Sequence, residues 1–203
     1  MPDRRLRIRA ARIDDAAAIA RIYAPYVDGS VISFETEAPS AEAIAQRMAA
    51  GGTLYPWLAA EDESGALLGY AYASAFRPRP AYFWAVETSV YLAQAAQGRG
   101  VGSALYRPLL AILRAQGFAQ AIAAITLPNP ASIAIHERFG FVHAGTYRQV
   151  GYKLGGWWDV GLWQCALAEP SIPPADPKPW REVADGLIQG SQRDCESLFL
   201  SSR

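Results

Sequence analysis

Apolar and polar positions along the first half of the chain predict alternating strands and helices. Residues 6–13 alternate between the two kinds of side chain, as a half-buried strand does. Asp14 or Asp15 is placed to cap a following helix, whose apolar residues have helical spacing. A second helix is predicted from the cap Ser40 to the glycine pair at 51–52. Strands are then predicted at 56–61, 66–76 and 81–92.

The second half alternates in the same way and then changes composition. Its pattern predicts a helix at 100–116, a strand at 119–127, a helix at 130–139, and strands near 141–150 and 157–167. The fold class is therefore α+β (mixed α/β), with a central, largely antiparallel sheet. Five prolines then fall within ten residues, which no central strand accommodates. We expect a compact domain over 1–169 and a mostly extended Pro-rich tail over 170–203, with one short helix near 181–188.

Composition narrows the class of protein. The 203 residues are 51% hydrophobic and 19% charged, which is typical of a globular chain. Lys plus Arg equals Asp plus Glu at 19 each, a balance that argues against a protein coating nucleic acid or anionic membrane. Two cysteines and two histidines make a disulfide framework or a Cys/His zinc site improbable. Without an apolar signal region or an 18-residue apolar run, we expect a soluble cytoplasmic protein.

The segment most informative about chemistry is a glycine-rich junction between a strand and a helix. The strand ending at Leu92 leads into Gln97-Gly98-Arg99-Gly100-Val101-Gly102-Ser103, and an apolar helix follows at once. Glycines let the backbone approach a ligand closely, and the first N–H groups of a helix lack intrahelical partners. Such a junction suits a pyrophosphate, although it is neither a P-loop nor a Rossmann fingerprint. By itself it fits a tight turn equally well.

The spacing around this junction resembles that of a known superfamily. Gln-x-x-Gly-x-Gly after a strand, with Asn129 starting a second helix about thirty residues on, is similar to the GCN5-related N-acetyltransferases. Within them the chain resembles the phosphinothricin and methionine sulfoximine acetyltransferase family, over roughly residues 5–170. The matching segments are ISFETEAP at 32–39, GYAYA at 69–73, LPNPAS at 127–132, HERFGF at 136–141 and GYKLGGWWDVGLWQ at 151–164.

The resemblance implies an acetyl-CoA N-acyltransferase fold, in which two neighbouring parallel strands splay apart between flanking helices. These would be the strand ending at Leu92 and the strand 119–127, with acetyl-CoA bound between them as co-substrate. Backbone groups of one strand would pair with the pantetheine arm, loop amides would hold the pyrophosphate, and the second helix start would contact the pantetheine. The implied cofactor-binding residues are Val90, Tyr91, Leu92, Gly98, Arg99, Gly100, Val101, Gly102, Ser103, Asn129 and Ser132.

The reaction implied is direct attack of a neutral amine on the thioester, which needs a base and an acid. Glu87 matches the family's candidate base, acting through water, and apolar surroundings would favour its neutral form. A structural carboxylate paired with an Arg is the alternative. His136 falls where many superfamily members carry the Tyr that protonates the leaving thiolate. Two helical turns separate it from Asn129, so both can face one cleft; a structural or surface histidine is the alternative.

For the substrate, relatives acetylate the α-amino group of glutamate-like amino acids bearing a phosphinate, sulfoximine or sulfone. Arg79 and Tyr82 match the family's Arg-x-x-Tyr spacing, and an Arg fork suits such anions. The substrate-binding candidates are Phe34, Glu35, Arg79, Pro80, Ala81, Tyr82 and Lys153. The resemblance also implies a homodimer and no nucleic-acid partner. Trp158, where close relatives often have His, weakens any inference of identical substrate choice.

Two other functions remain open at this point. One is acetylation of a protein N-terminus or another amine, which an Arg-lined pocket for a small acid argues against. The other is a non-catalytic acetyl-CoA-binding module, which would keep the glycine loop and lack a usable base.

Overall fold

A seven-stranded sheet runs through the molecule in the order β1-β2-β3-β4-β5-β7-β6. The computed structural model describes residues 6–200, with side chains described for residues 6–190. The strands are β1 Arg7–Ala10, β2 Trp57–Glu61, β3 Leu67–Ala75, β4 Ala85–Leu92, β5 Gln120–Thr126, β6 Val142–Lys153 and β7 Gly156–Ala166. The helices are α1 Ala16–Asp28, α2 Ala41–Ala50, α3 Val101–Gln116, α4 Pro130–Arg138 and α5 Arg181–Leu200.

Neighbouring strands are antiparallel except for β4 and β5, which run parallel. Those two strands pair from Ala85–Gln120 to Glu87–Ile122. Beyond this point β4 continues to Leu92 and β5 to Thr126 with no further pairing between them. The sheet therefore opens in its middle, and the predicted mixed α/β fold with two splayed parallel strands is confirmed.

Two apolar cores fill the two sides of the sheet. On one side, the fully buried stripe Leu105, Leu109 and Ile112 of α3 belongs to the larger core. On the other side, Ile19 of α1 and Ile44 of α2 pack with strand residues in a second cluster. The alternation of side chains along each strand assigns its residues to these two sides. The two layers of helices hold the opening of the sheet between them.

The first strand and the start of the first helix differ from the prediction because charged side chains bind one another there. Asp15 stands at the start of α1, yet its carboxylate accepts from Arg9 at 2.6 and 2.8 Å and from the Arg12 N–H at 2.7 Å. Arg9 also donates to Glu61 at 2.6 Å. The expectation that Asp15 caps α1 is therefore wrong, and β1 ends at Ala10 instead of residue 13. By contrast, Ser40 caps α2 as predicted, accepting from the Ala43 N–H at 3.2 Å.

The C-terminal segment differs from the mostly extended tail that its prolines predict. The helix α5 spans Arg181–Leu200, longer than the short helix expected near 181–188. Trp180, Ala184 and Ile188 enter the larger core at helical spacing. The buried Gln116 side chain donates to the Lys178 carbonyl at 2.8 Å, which fixes the approach to the helix. Apolar burial thus orders this segment, while the boundary near residue 169 stays a prediction.

Candidate active site

The opening between β4 and β5 continues into a cleft of about 450 Å³. One wall is the end of β4, another is the glycine loop that leads into α3, and a third is the exposed side of α4. The cleft is lined by Tyr26, Ile32, Val90, Tyr91, Leu92, Gln97, Gly98, Gly100, Gly102, Ser103, Asn129, Ala131, Ser132, Ala134, Ile135 and Arg138. Nine of the eleven predicted cofactor-binding residues are therefore brought together; Arg99 and Val101 do not line the cleft, and neither does any residue of the 76–84 loop.

Tyr91 is one of these nine residues. Its peptide differs from its neighbours because it faces β3, with which Tyr91 pairs through Tyr70. The two predicted residues that do not line the cleft are Arg99, whose guanidinium donates to the Ala95 carbonyl at 3.3 Å, and Val101, which is buried in the core. Their contacts with the cofactor stay predictions.

The backbone of β4 presents hydrogen-bonding groups to the opening. The Ala93 N–H donates to the Leu68 carbonyl at 2.8 Å, so Ala93 and every second residue before it bond to β3. The peptide groups of Val90 and Leu92 consequently point the other way, into the opening. This is the edge on which an extended ligand can pair as an added strand. The backbone of Leu92 is already hydrogen-bonded to the Tyr26 hydroxyl, which donates to the Leu92 carbonyl at 2.6 Å.

Two glycines of the loop adopt a backbone conformation that other residues rarely reach. Gly98 and Gly100 lie in the left-handed region, at φ of +71° and +80°, where other residues are strained. Gly100 begins α3 without any side-chain cap, so the first N–H groups of the helix are available to a ligand. A Cβ on Gly102 would lie 2.9 Å from Ile135 Cδ1, because α3 and α4 approach closely there. Free amides and the positive end of the helix dipole together suit a diphosphate.

A second helix start faces the same cleft. The Asn129 side-chain carbonyl accepts from the Ser132 N–H at 3.1 Å and so caps α4. Pro130 occupies the first helical position, where its missing N–H has no cost. The amide nitrogen of Asn129 remains available as a donor to a ligand, which agrees with the contact that the resemblance implies.

His136 does not occupy the position expected of it. Its side chain is buried, and its ring packs edge-on against Tyr106 and Phe141, with centroids 5.1 Å away in each case. Nδ1 donates to the Ser132 carbonyl at 2.7 Å, so Nε2 carries no proton in the neutral ring. Burial lowers the pKa of His136, against the opposing effect of that hydrogen bond. The expectation that His136 faces the cleft is wrong, and its catalytic role stays a prediction.

Glu87 lies at the apex of the opening, in the last pair that joins β4 to β5. Within the described residues it has neither a hydrogen bond nor an ion pair, unlike the carboxylates of Asp15 and Glu35. Burial raises the pKa of Glu87, and the charge of Arg77 opposes the shift without contact. The alternative of a structural carboxylate paired with an Arg is therefore not what the geometry displays. A desolvated carboxylate of this kind is a suitable general base.

Two predicted substrate residues are instead engaged within the protein. The Glu35 carboxylate receives two parallel bonds from Arg47, at 2.7 and 2.8 Å, and one from the Tyr23 hydroxyl at 2.9 Å. Arg47 lowers the pKa of Glu35 despite partial burial. The buried Lys153 ammonium donates to the carbonyls of Val27 and Ser33, at 2.5 and 2.7 Å. Lys153 as a substrate-anion contact is therefore a wrong prediction, because it holds the 28–34 loop.

The other substrate candidates stay at the surface. A short helical turn at Pro80–Tyr82 places Arg79 and Tyr82 together, and β4 starts at Ala85 instead of residue 81. Both side chains are exposed, as are Pro80 and Ala81. In the described part of the chain Arg79 has no acidic partner, so its guanidinium is available to an anion. Phe34 is 37% exposed, and its ring covers Gly151 of β6. A Cβ atom on residue 151 would collide with the Phe34 ring.

Several residues of the site were not predicted. Arg138 lines the cleft together with Ala131, Ala134 and Ile135, and this spacing of three and four residues is a helical face. That periodicity was available in the sequence as a signal. Tyr26 and Arg47 carried no such signal, because their partners are distant in the chain.

Comparison with known proteins agrees with this geometry. Residues 8–162 match the acetyltransferase (GNAT) domain family. The chain is 42% identical to phosphinothricin N-acetyltransferase of Streptomyces viridochromogenes over 183 residues, covering 90% of this chain and 97% of the relative. It is 38% identical to the L-methionine sulfoximine/L-methionine sulfone acetyltransferase of Pseudomonas aeruginosa, covering 79% and 94%. The crystal structure of a phosphinothricin acetyltransferase from Sinorhizobium meliloti with acetyl-CoA superposes with a TM-score of 0.80, at 39% identity, covering 86% and 94%.

With the open sheet, the glycine loop and these matches, the chain belongs to the GNAT family of acetyltransferases. It is an N-acetyltransferase whose acetyl donor is acetyl-CoA. In the part of the chain that the structure describes, no helix is long and apolar enough to cross a membrane. Among the same residues, no group of three or more His, Cys, Asp or Glu side chains could hold a metal ion.

The glycine loop allows a direct test with a matched control. Gly100→Glu is expected to raise the Kd for acetyl-CoA at least about tenfold, because it places negative charge beside the free amides. Gly65 has the same left-handed conformation, at φ of +81°, in the β2–β3 turn. Gly65→Glu therefore introduces equal backbone strain and should leave the Kd unchanged. Calorimetric titration of both variants checks the prediction, and an unaltered Kd in Gly100→Glu would refute this location of the phosphates.

Proposed function

We propose that this enzyme transfers the acetyl group of acetyl-CoA to the α-amino group of a small glutamate- or methionine-like amino acid. Phosphinothricin, methionine sulfoximine and methionine sulfone are the candidate substrates. The observation that carries the proposal is the unpaired, desolvated Glu87 carboxylate at the apex of the opening. The names of relatives at about 40% identity support the substrate class.

In the proposed reaction, Glu87 accepts the proton that the substrate ammonium must lose. Glu87 and Val90 are three residues apart on β4, or about 10 Å along a strand, so the proton passes through water. The neutral amine then forms a C–N bond with the thioester carbonyl carbon as the C–S bond breaks. The thiolate leaves with the electron pair of that bond and takes up the proton that the attacking nitrogen loses as it becomes an amide. The Val90 N–H, which points into the opening, stabilises the negative charge on the carbonyl oxygen.

Two arginines in and beside the 79–82 turn suit the acidic part of such a substrate. Arg79 is exposed and without an acidic partner in the described residues, and Tyr82 lies in the same short turn. The neighbouring Arg77 is near enough for its charge to act on Glu87. A guanidinium offers two parallel hydrogen bonds to a carboxylate or a tetrahedral oxyanion. We assign substrate-anion binding to the 77–82 turn.

A panel of amines tests the proposal. We expect kcat/KM for at least one of the three candidate amino acids to exceed that for an amino-terminal peptide by about a hundredfold, since the terminal residue of the peptide lacks a free α-carboxylate. The assay follows release of the CoA thiol. A preference for the peptide would replace this function by acetylation of protein N-termini. Lack of turnover with every amine, for folded enzyme that binds acetyl-CoA, would favour a non-catalytic binding module.

Glu87→Gln separates catalysis from binding. It removes the base but keeps the size of the side chain, so we expect kcat to fall about 100-fold or more. The Kd for acetyl-CoA should not change. The wild-type enzyme should gain activity as pH rises through the raised pKa of Glu87, because a base acts in its deprotonated form. A pH–rate profile of both proteins checks this, and the acidic limb should disappear in the variant.

Glu182→Gln on the exposed start of α5 serves as the control for this charge change. Its kcat and its pH profile should equal those of the wild type. If Glu87→Gln retained full activity, Glu87 would not be the base.

We also propose that the enzyme is a homodimer that pairs through the β6–β7 hairpin. β6 is an edge strand of 12 residues. The far half of β6 exposes large apolar side chains, among them Tyr152 at 61%. The adjoining end of β7 exposes Trp157, also at 61%. A long edge with such side chains is a surface that proteins normally cover.

Light scattering after gel filtration tests the dimer. Wild-type enzyme should elute with twice the mass of the chain, and Trp157→Glu should elute as a monomer because it buries a charge in the interface. Ile172→Glu, at an exposed position outside the hairpin, is the control for an added charge and should remain dimeric. A monomeric wild type at micromolar concentration would contradict the proposal.

A further inference from the structure

The Tyr26 hydroxyl joins two parts of the cofactor cleft that are separate in the chain. Tyr26 lies on α1, and its hydroxyl donates to the Leu92 carbonyl at 2.6 Å. The same oxygen accepts from the Leu92 N–H at 3.3 Å and from the Gln97 side-chain amide at 3.0 Å. Leu92 ends β4, and Gln97 immediately precedes the first left-handed glycine of the loop.

These three bonds use the full hydrogen-bonding capacity of a phenol. A tyrosine hydroxyl has one donor hydrogen and two acceptor lone pairs, and each is engaged. The hydroxyl thus holds both backbone groups of Leu92, as a further strand would, and ties the loop to them. With its proton already donated to a carbonyl, this phenol is a positioning group and not an acid for the reaction.

The ring of Tyr26 is itself held in place. It packs edge-on against Tyr91, with centroids 5.1 Å apart, and Tyr91 packs in the same manner on Tyr23 at 4.8 Å. Tyr23 is one helical turn earlier on α1 and binds Ser33 and Glu35. Packing of the ring therefore fixes the position of the Tyr26 hydroxyl. Its partner Gln97, in contrast, is exposed on the loop.

We infer that Tyr26 is a positioning residue for acetyl-CoA, which holds the glycine loop in register with the β4 edge through Gln97. Such a contact fixes the distance between the amides that face the phosphates and the peptide groups that face the pantetheine. The inference rests on the phosphates lying at the glycine loop, which the comparison of Gly100→Glu with Gly65→Glu tests separately.

Tyr26→Phe tests the inference with two acetyl donors. S-acetylpantetheine carries the thioester and the pantetheine arm but lacks the diphosphate and the adenosine. We expect the KM for acetyl-CoA to rise about threefold to tenfold, because of the three bonds that are lost only the one with Gln97 ties the loop. The kcat with acetyl-CoA, and kcat/KM with S-acetylpantetheine, should remain within about twofold of the wild type.

Gln97→Leu provides an independent variant, since an exposed loop side chain can be replaced without unfolding the protein. It should reproduce the KM effect, and the double variant should show no larger loss than either single one. Tyr55→Phe is the matched control, because the Tyr55 ring packs on Phe118 away from the cleft. Its kinetic constants should not change.

Three results would overturn the inference. Equal losses with both acetyl donors would place the effect of Tyr26 on the pantetheine or on the reacting atoms. Unchanged constants with both donors would show that the hydroxyl is not needed. Independent, additive losses in the double variant would show that Tyr26 and Gln97 do not act through one contact.

Discussion

The pairing between β4 and β5 stops after Glu87 and Ile122, and the rest of the site depends on that limit. A continued ladder would use the backbone groups of Val90 and leave no cleft. The apex is closed by side chains instead. The Thr88 hydroxyl lies 2.6 Å from that of Tyr106 and 3.4 Å from the Ile122 carbonyl. The buried polar groups at the point where β4 and β5 separate therefore have hydrogen-bond partners, as buried polar groups in proteins generally do.

The helices that follow each parting strand complete the cleft. α3 follows β4 through the glycine loop, and α4 follows β5 through a capped start. Both N-termini face the same cleft, so the helix dipoles favour an anionic ligand there. The close contact of Gly102 with Ile135 keeps the two helix starts near one another. A neutral chain can bind an acidic donor in this way, because the site consists of backbone dipoles more than of charged side chains.

Most of the buried charge has a structural use. Arg9 binds Asp15 and Glu61, and Lys153 binds two backbone carbonyls. If one side chain of such a contact were removed, its partner would remain desolvated and unpaired. These contacts therefore fix the positions of the chain segments that carry them. Glu87 is different because it is desolvated without a partner. A half-buried carboxylate whose pKa is raised in this way is typical of a group with a chemical role.

The sequence by itself determined what depends on neighbouring residues. The cap Ser40, the helix start at Asn129 and the glycine-rich turn before α3 are local, and so the sequence predicts them together with the mixed α/β class. The tertiary structure decided which polar side chains remain available. Lys153 and Glu35 are engaged by segments distant in the chain, and His136 turns into the core with Tyr106. Periodicity places a side chain on a face of its own element, but only packing determines what that face meets.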